Sequence, residues 1–127
     1  MNPPSRRLRP SLPRLAVALA VALAPLPAAA HAFLATANPR VGSTIAAAPP
    51  QLLLNFTEGV EPDLSSVAVT NAAGAVVSIG HCHTAGRADR LAIALGKLPP
   101  GAYTVTWHAV AIDLHKTEGH FVFHVRK

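Results

Sequence analysis

The chain is poor in the residues that staple or charge a small protein. It has one cysteine in 127 residues, Cys82, so no disulfide can close within it. Its stability must come from packing, with a bound ion as a further aid. No segment after residue 30 repeats with a helical period, and there is no internal repeat or low-complexity tract to suggest an array. Acidic residues number six, and none lies in the first 14 positions. Those positions hold Arg6, Arg7, Arg9 and Arg14 instead. The one long apolar run begins at Leu15, breaks at Pro25 and Pro27, and ends in alanines. It is too short to span a bilayer as a helix. The order charged, apolar, small is that of a secretory leader, expected over residues 1–30. Arg6-Arg7 is also a short match to a twin-arginine export signal.

The leader distorts the totals. The formal charge of the whole chain is +5, but residues 31–127 hold seven Lys and Arg against six Asp and Glu, a net charge of about +1. That balance removes the basic surface a nucleic-acid binder needs to neutralise phosphates, so no nucleic-acid partner is expected. The remaining 97 residues suffice for one small domain with one core.

What is abundant is histidine. All seven (31, 81, 83, 108, 115, 120 and 124) lie after the leader. Cleavage after Ala30 would make His31 the first residue, with its α-amine and imidazole Nδ1 as two nitrogens placed to chelate a metal ion. Cleavage after Ala32 would remove it.

Along the chain, short apolar or alternating segments recur between Pro- and Gly-containing turns. Strands are expected at 31–37 (with Phe33 as a buried anchor), 51–57, 66–70, 75–79, 91–95 and 103–110, with a last one carrying Phe121, Phe123 and Val125. Glu58 to Asp63 form an acidic loop. His81-Cys82-His83 fall in an expected loop from Gly80 to Arg90, and a second loop is expected from Asp113 to Gly119. Tyr103, Val105 and Trp107 share one strand face, and Thr104, Thr106 and His108 the other. The expected fold is an all-β Greek-key sandwich or barrel of about seven strands, Ig-like or cupredoxin-like, filling 31–127.

Asp113-Leu114-His115 places an imidazole and a carboxylate two residues apart after the best strand. With the nitrogens of His31 they would make a mainly nitrogen donor set of the kind that suits Cu(II). By itself Asp-x-His also fits a turn-capping Asp beside a solvated His.

Several segments carry a family resemblance in order and spacing. They are His31-Ala32-x-Leu34 with Pro39 and Gly42-Ser43, Leu52-x-Leu54-x-Phe56-Thr57-Glu58, and Pro100-Gly101-x-Tyr103-x-Val105-x-Trp107. Asp113-x-His115 and Gly119-x-Phe121-x-Phe123-x-Val125 complete the set. Residues 31–127 resemble the CopC family of periplasmic copper-binding proteins over essentially their whole length. The resemblance implies one Cu(II) per chain held by His31, Asp113 and His115, with Glu58 nearby as an outer or axial group. It also implies copper sequestration or delivery in the periplasm, and a CopD-type inner-membrane partner. A monomer is expected. Some members hold Cu(I) in a methionine-rich loop, here near Asn71 to Val76, but the only methionine is Met1. Without thioethers a soft site of that kind is not expected.

His81, Cys82 and His83 are the nearest substitute for a second site, although adjacent residues on an extended backbone cannot all face one ion. His120 is an outer candidate beside the second loop, and His108 and His124 are expected at the surface. A copper oxidase or monooxygenase built on an N-terminal histidine is the alternative function. Against it stand the small size and the scarcity of large rings, only Tyr103 and Trp107 besides four phenylalanines.

Overall fold

The computed structural model describes residues 1–5 and 31–127. The leader expected over 1–30 therefore lies mostly outside the described residues. Eight strands follow: β1 (Leu34–Asn38), β2 (Thr44–Ile45), β3 (Gln51–Phe56), β4 (Ser66–Asn71), β5 (Ser78–Thr84), β6 (Arg90–Leu95), β7 (Gly101–Val110) and β8 (Lys116–Val125). Among the described residues one 3₁₀ turn, Pro62–Leu64, sits before β4. The strands form two four-stranded sheets, ordered β1-β3-β6-β5 and β2-β8-β7-β4. All pairings are antiparallel except β2 on β8. The expected all-β sandwich is what forms, with eight strands because the two-residue β2 has too little sequence to announce itself.

Alternation decides the core. In β7, Tyr103, Val105 and Trp107 are buried while Thr106 and His108 face solvent, and in β8 Phe121, Phe123 and Val125 are buried. The opposite sheet contributes Leu52, Leu54 and Phe56 from β3 and Leu91, Ile93 and Leu95 from β6. Each such side chain contributes about 1.5–3 kcal/mol on full burial. Phe56 meets Trp107 edge-on across the layers with centroids 5.3 Å apart, and Tyr103 stacks on Phe123 at 5.5 Å. Among the described residues no charged, amide or Ser/Thr side chain is fully buried.

The chain after Asn71 makes a turn, closed by Ala73 and Ala75 amides donating to Asn71 Oδ1 at 3.1 and 2.9 Å. Thr70 and Val76 pair antiparallel across it, Val77 N–H donates to the Val69 carbonyl at 2.8 Å, and the chain then crosses to the other sheet as β5. Two expectations are corrected. Residues 80–84, expected to open a loop, belong to the edge strand β5 (Ser78–Thr84), and Cys82 finds a place in the core. Phe33 is 56% exposed and Ala32 is fully buried in its place. A small side chain fits beneath the chain entry, and alternation then turns Phe33 outward.

Candidate metal centre

The site forms at one end of the sandwich, where the start of the domain meets the β7–β8 connection. Residues 31–33 precede β1 and are pinned by two threonines. Thr57 Oγ1 donates to the His31 carbonyl at 3.1 Å and accepts from the Phe33 amide at 3.0 Å, while the Thr57 amide donates to the Phe33 carbonyl at 2.8 Å. Thr117 Oγ1, on β8, donates to the Ala32 carbonyl at 2.6 Å. These contacts tie residues 31–33 to both sheets.

The β7–β8 connection is shorter than expected, since β8 begins at Lys116. Leu114 N–H donates to the Ala111 carbonyl at 2.8 Å, and Ala111 N–H to the His115 carbonyl at 2.9 Å. Leu114 turns the chain with φ +69°, in the left-handed region a leucine adopts only at a cost of roughly 1–2 kcal/mol. The chain after β3 supports this turn. Ile112 N–H donates to the Gly59 carbonyl at 3.1 Å, and any Cβ on Gly59 would run into the Ile112 side chain.

Inside the turn, Asp113 faces His115 twice. Its Oδ1 accepts the His115 amide at 3.1 Å, and its Oδ2 lies 2.9 Å from His115 Nδ1. An ionised carboxylate only accepts, so Nδ1 carries the proton and Nε2 is the free donor atom. The His115 hydrogen bonds, first the side-chain one, hold the Asp113 carboxyl below its usual range, and the His31 charge adds to this. The turn-capping reading of Asp-x-His is thus realised together with the orienting one.

The rings of His31 and His115 meet at a centroid distance of 4.8 Å and an interplanar angle of 83°. His31 Nδ1 is buried and has no hydrogen-bond partner among the described residues. A buried imidazole nitrogen left unpaired costs free energy unless something else satisfies it. It is also the nitrogen that a freed His31 α-amine would join in a chelate. Among the described residues no three His, Cys, Asp or Glu side chains are drawn together as a ready-made metal cage.

Comparison with known proteins decides the family. The CopC domain model matches residues 34–126, nearly all of the described domain. The chain belongs to the CopC domain family. It is 36% identical over 99 residues to protein YobA of Escherichia coli K12, covering 76% of this chain and 80% of that protein. Its fold is similar to the crystal structure of CopC from Methylosinus trichosporium OB3b, with a TM-score of 0.71 at 30% identity, covering 76% of this chain and 94% of the other. It is also similar to PcoC, a methionine-rich copper resistance protein from Escherichia coli, at a TM-score of 0.68 and 27% identity, covering 76% of this chain and all of that one. Against that methionine-rich relative, this CopC-domain chain has Met1 alone.

The other histidine-bearing segments of this CopC-domain chain lie elsewhere. Cys82 points inward from β5, with Sγ 3.5 Å from the Ser65 carbonyl, and burial pushes its thiol up. His81 and His83 are exposed, so the three residues do not face one point. His120 sits on the outer face of β8 opposite Thr106, five residues beyond His115 and about 17 Å along the strand. It is therefore not brought to the His31–His115 pair. The expected loop from Asp113 to Gly119 would leave it in reach, but β8 begins at Lys116 and carries it away. Glu58 is half-buried directly after Thr57, on the segment that clasps residues 31–33. Thr57 and Thr117 are the residues that sequence reasoning missed as part of the site. Thr57 was visible only as a member of the matching segment, and Thr117 carried no signal.

Proposed function

We propose that the exported chain is a copper-binding protein that takes up one Cu(II) at the tip of the sandwich, for sequestration or delivery. The observation that carries this reading is the buried, unpartnered Nδ1 of His31 against the ring of His115. It fits a nitrogen-rich ligand set, which suits Cu(II). In this reading removal of residues 1–30 frees the His31 amine, so His31 offers amine and Nδ1 and His115 offers Nε2. Asp113 orients His115 through Nδ1, as carboxylates do for metal-bound histidines, and retains lone pairs with which to bind the ion itself. Glu58 is the outer or axial group.

The similarity to proteins named for copper resistance supports a carrier over a copper oxidase. The periplasm is the compartment that the leader and the family point to, and a CopD-type membrane protein is the partner for transfer. Copper binding then falls with falling pH, since the nitrogens must be deprotonated to bind.

The test is the intact mass of the exported protein followed by Cu(II) titration. A chain beginning at His31, one equivalent of tightly bound Cu(II) and a nitrogen-rich paramagnetic resonance spectrum are expected. One extra residue before His31, or His115→Ala, should abolish tight binding. A mature chain beginning at Phe33 would overturn the reading.

A further inference from the structure

The outer face of the β7–β8 ribbon carries a second group of donors that the tip site does not use. Strand pairing sets His108 opposite Glu118 and Thr106 opposite His120, so His108, Glu118 and His120 all face solvent on neighbouring positions. His108 Nε2 lies 3.1 Å from Glu118 Oε2, and Ser66 Oγ on the adjacent β4 lies 3.5 Å from His108 Nδ1. The imidazole is therefore flanked on both nitrogens, with Nε2 aimed at the carboxylate. His108, Glu118 and His120 also line one open cleft of about 560 Å³, together with Thr106, Trp107 and Gly119.

We propose that His108, Glu118 and His120 form a second, surface site for a borderline divalent cation such as Zn(II) or Cu(II). Two imidazoles and a carboxylate are a donor set of the kind both ions accept. His108 and Glu118 already approach within hydrogen-bond distance, so one ion can replace the shared proton between them. His120 is the diagonal neighbour of His108, and diagonal pairs on a sheet lie about 7–8 Å apart, within reach of long side chains. Because the three are not drawn together without an ion, His120 must turn toward the pair. On an exposed face that is a rotamer change, with no core to displace.

The site is independent of the leader, since none of its donors is a chain terminus. It is also distinct from the tip. Glu118 lies three residues beyond His115, about 10 Å along β8, and faces outward from the sheet. Lys116 shares the same strand face two residues before Glu118 and is the nearby opposing charge. Its flexible stem lets the ammonium remain in water.

The experiment is calorimetric titration of Zn(II), then Cu(II), into the protein with one extra residue before His31. One saturable equivalent is expected, weakened about tenfold or more by His108→Ala, Glu118→Gln or His120→Ala. His81→Ala and His83→Ala should leave it unchanged. All of these positions are exposed, and melting temperatures of the ion-free variants should match the parent. No saturable binding, or binding that survives His108→Ala, would overturn the proposal. The two readings fail separately. A chain that binds a single ion, lost when His31 is blocked, retains the tip site and rejects this one, whereas binding indifferent to His31 but sensitive to His108 does the reverse.

Discussion

Thr117 Oγ1 donates to the carbonyl of Ala32 at 2.6 Å, joining residues separated by 85 positions. This bond and the Thr57 clasp hold residues 31–33 against both sheets, where the His31 ring meets that of His115.

Thr57→Val and Thr117→Val should each lower stability by about 0.5–1.5 kcal/mol through loss of a hydrogen bond. Each should also weaken Cu(II) binding by about tenfold or more, as removal of supporting contacts around a metal site does. Thr→Ser should restore both. Denaturant melts and competitive copper titrations check this, and unchanged affinity in both valine variants would show that the clasp does not position His31.

The Asp113–His115 contact makes stability depend on acid. The Asp113 carboxyl is held below its ordinary value, near 3.9, first by the His115 side-chain hydrogen bond. A depressed folded-state value means that the carboxylate favours folding above the ordinary value, and that this is lost as pH falls through the lower one. Asp113→Asn should therefore melt below the parent at about pH 5–6, and the two curves should converge toward about pH 2. Parallel curves across the whole range would contradict it.

Cys82 should behave as a buried thiol. Burial pushes it up, and its Sγ faces the Ser65 carbonyl. Thiol reagents should react slowly with the native protein and at least ~10-fold faster in denaturant, since only the thiolate attacks and access is needed. Equal rates in both states would place the sulfur at the surface.

Gly119 lies beneath the Trp107 ring, where a Cβ would sit 2.6 Å from Cζ2. Gly119→Ala must displace the indole or bend β8, an overpacking cost of about 1–3 kcal/mol. For a domain of this size each kcal/mol lowers Tm by roughly 4–8 °C. A calorimetric scan decides it, and an unchanged Tm would mean that the indole has room to move.

The layered fold and the inner faces of β7 and β8 were legible because alternation is a local code that packing enforces residue by residue. The Asp113-x-His115 contact was legible for the same reason, since two residues on one turn cannot escape each other. The β4–β5 crossing, the inward turn of Cys82 and the outward turn of Phe33 were not. Each depends on which sheet a strand joins and what space lies beneath it, and no local pattern records either.

The sequence by itself determined the alternating strands, the Asp113–His115 pair, the absence of internal thioether ligands and the presence of a histidine at the expected leader junction. Only the tertiary structure decided that the His31 and His115 rings would meet, with centroids 4.8 Å apart, and that His120 would lie further along β8. Side-chain direction along one strand follows from backbone geometry, whereas the meeting of the two ends of the domain requires both sheets to close around a single core.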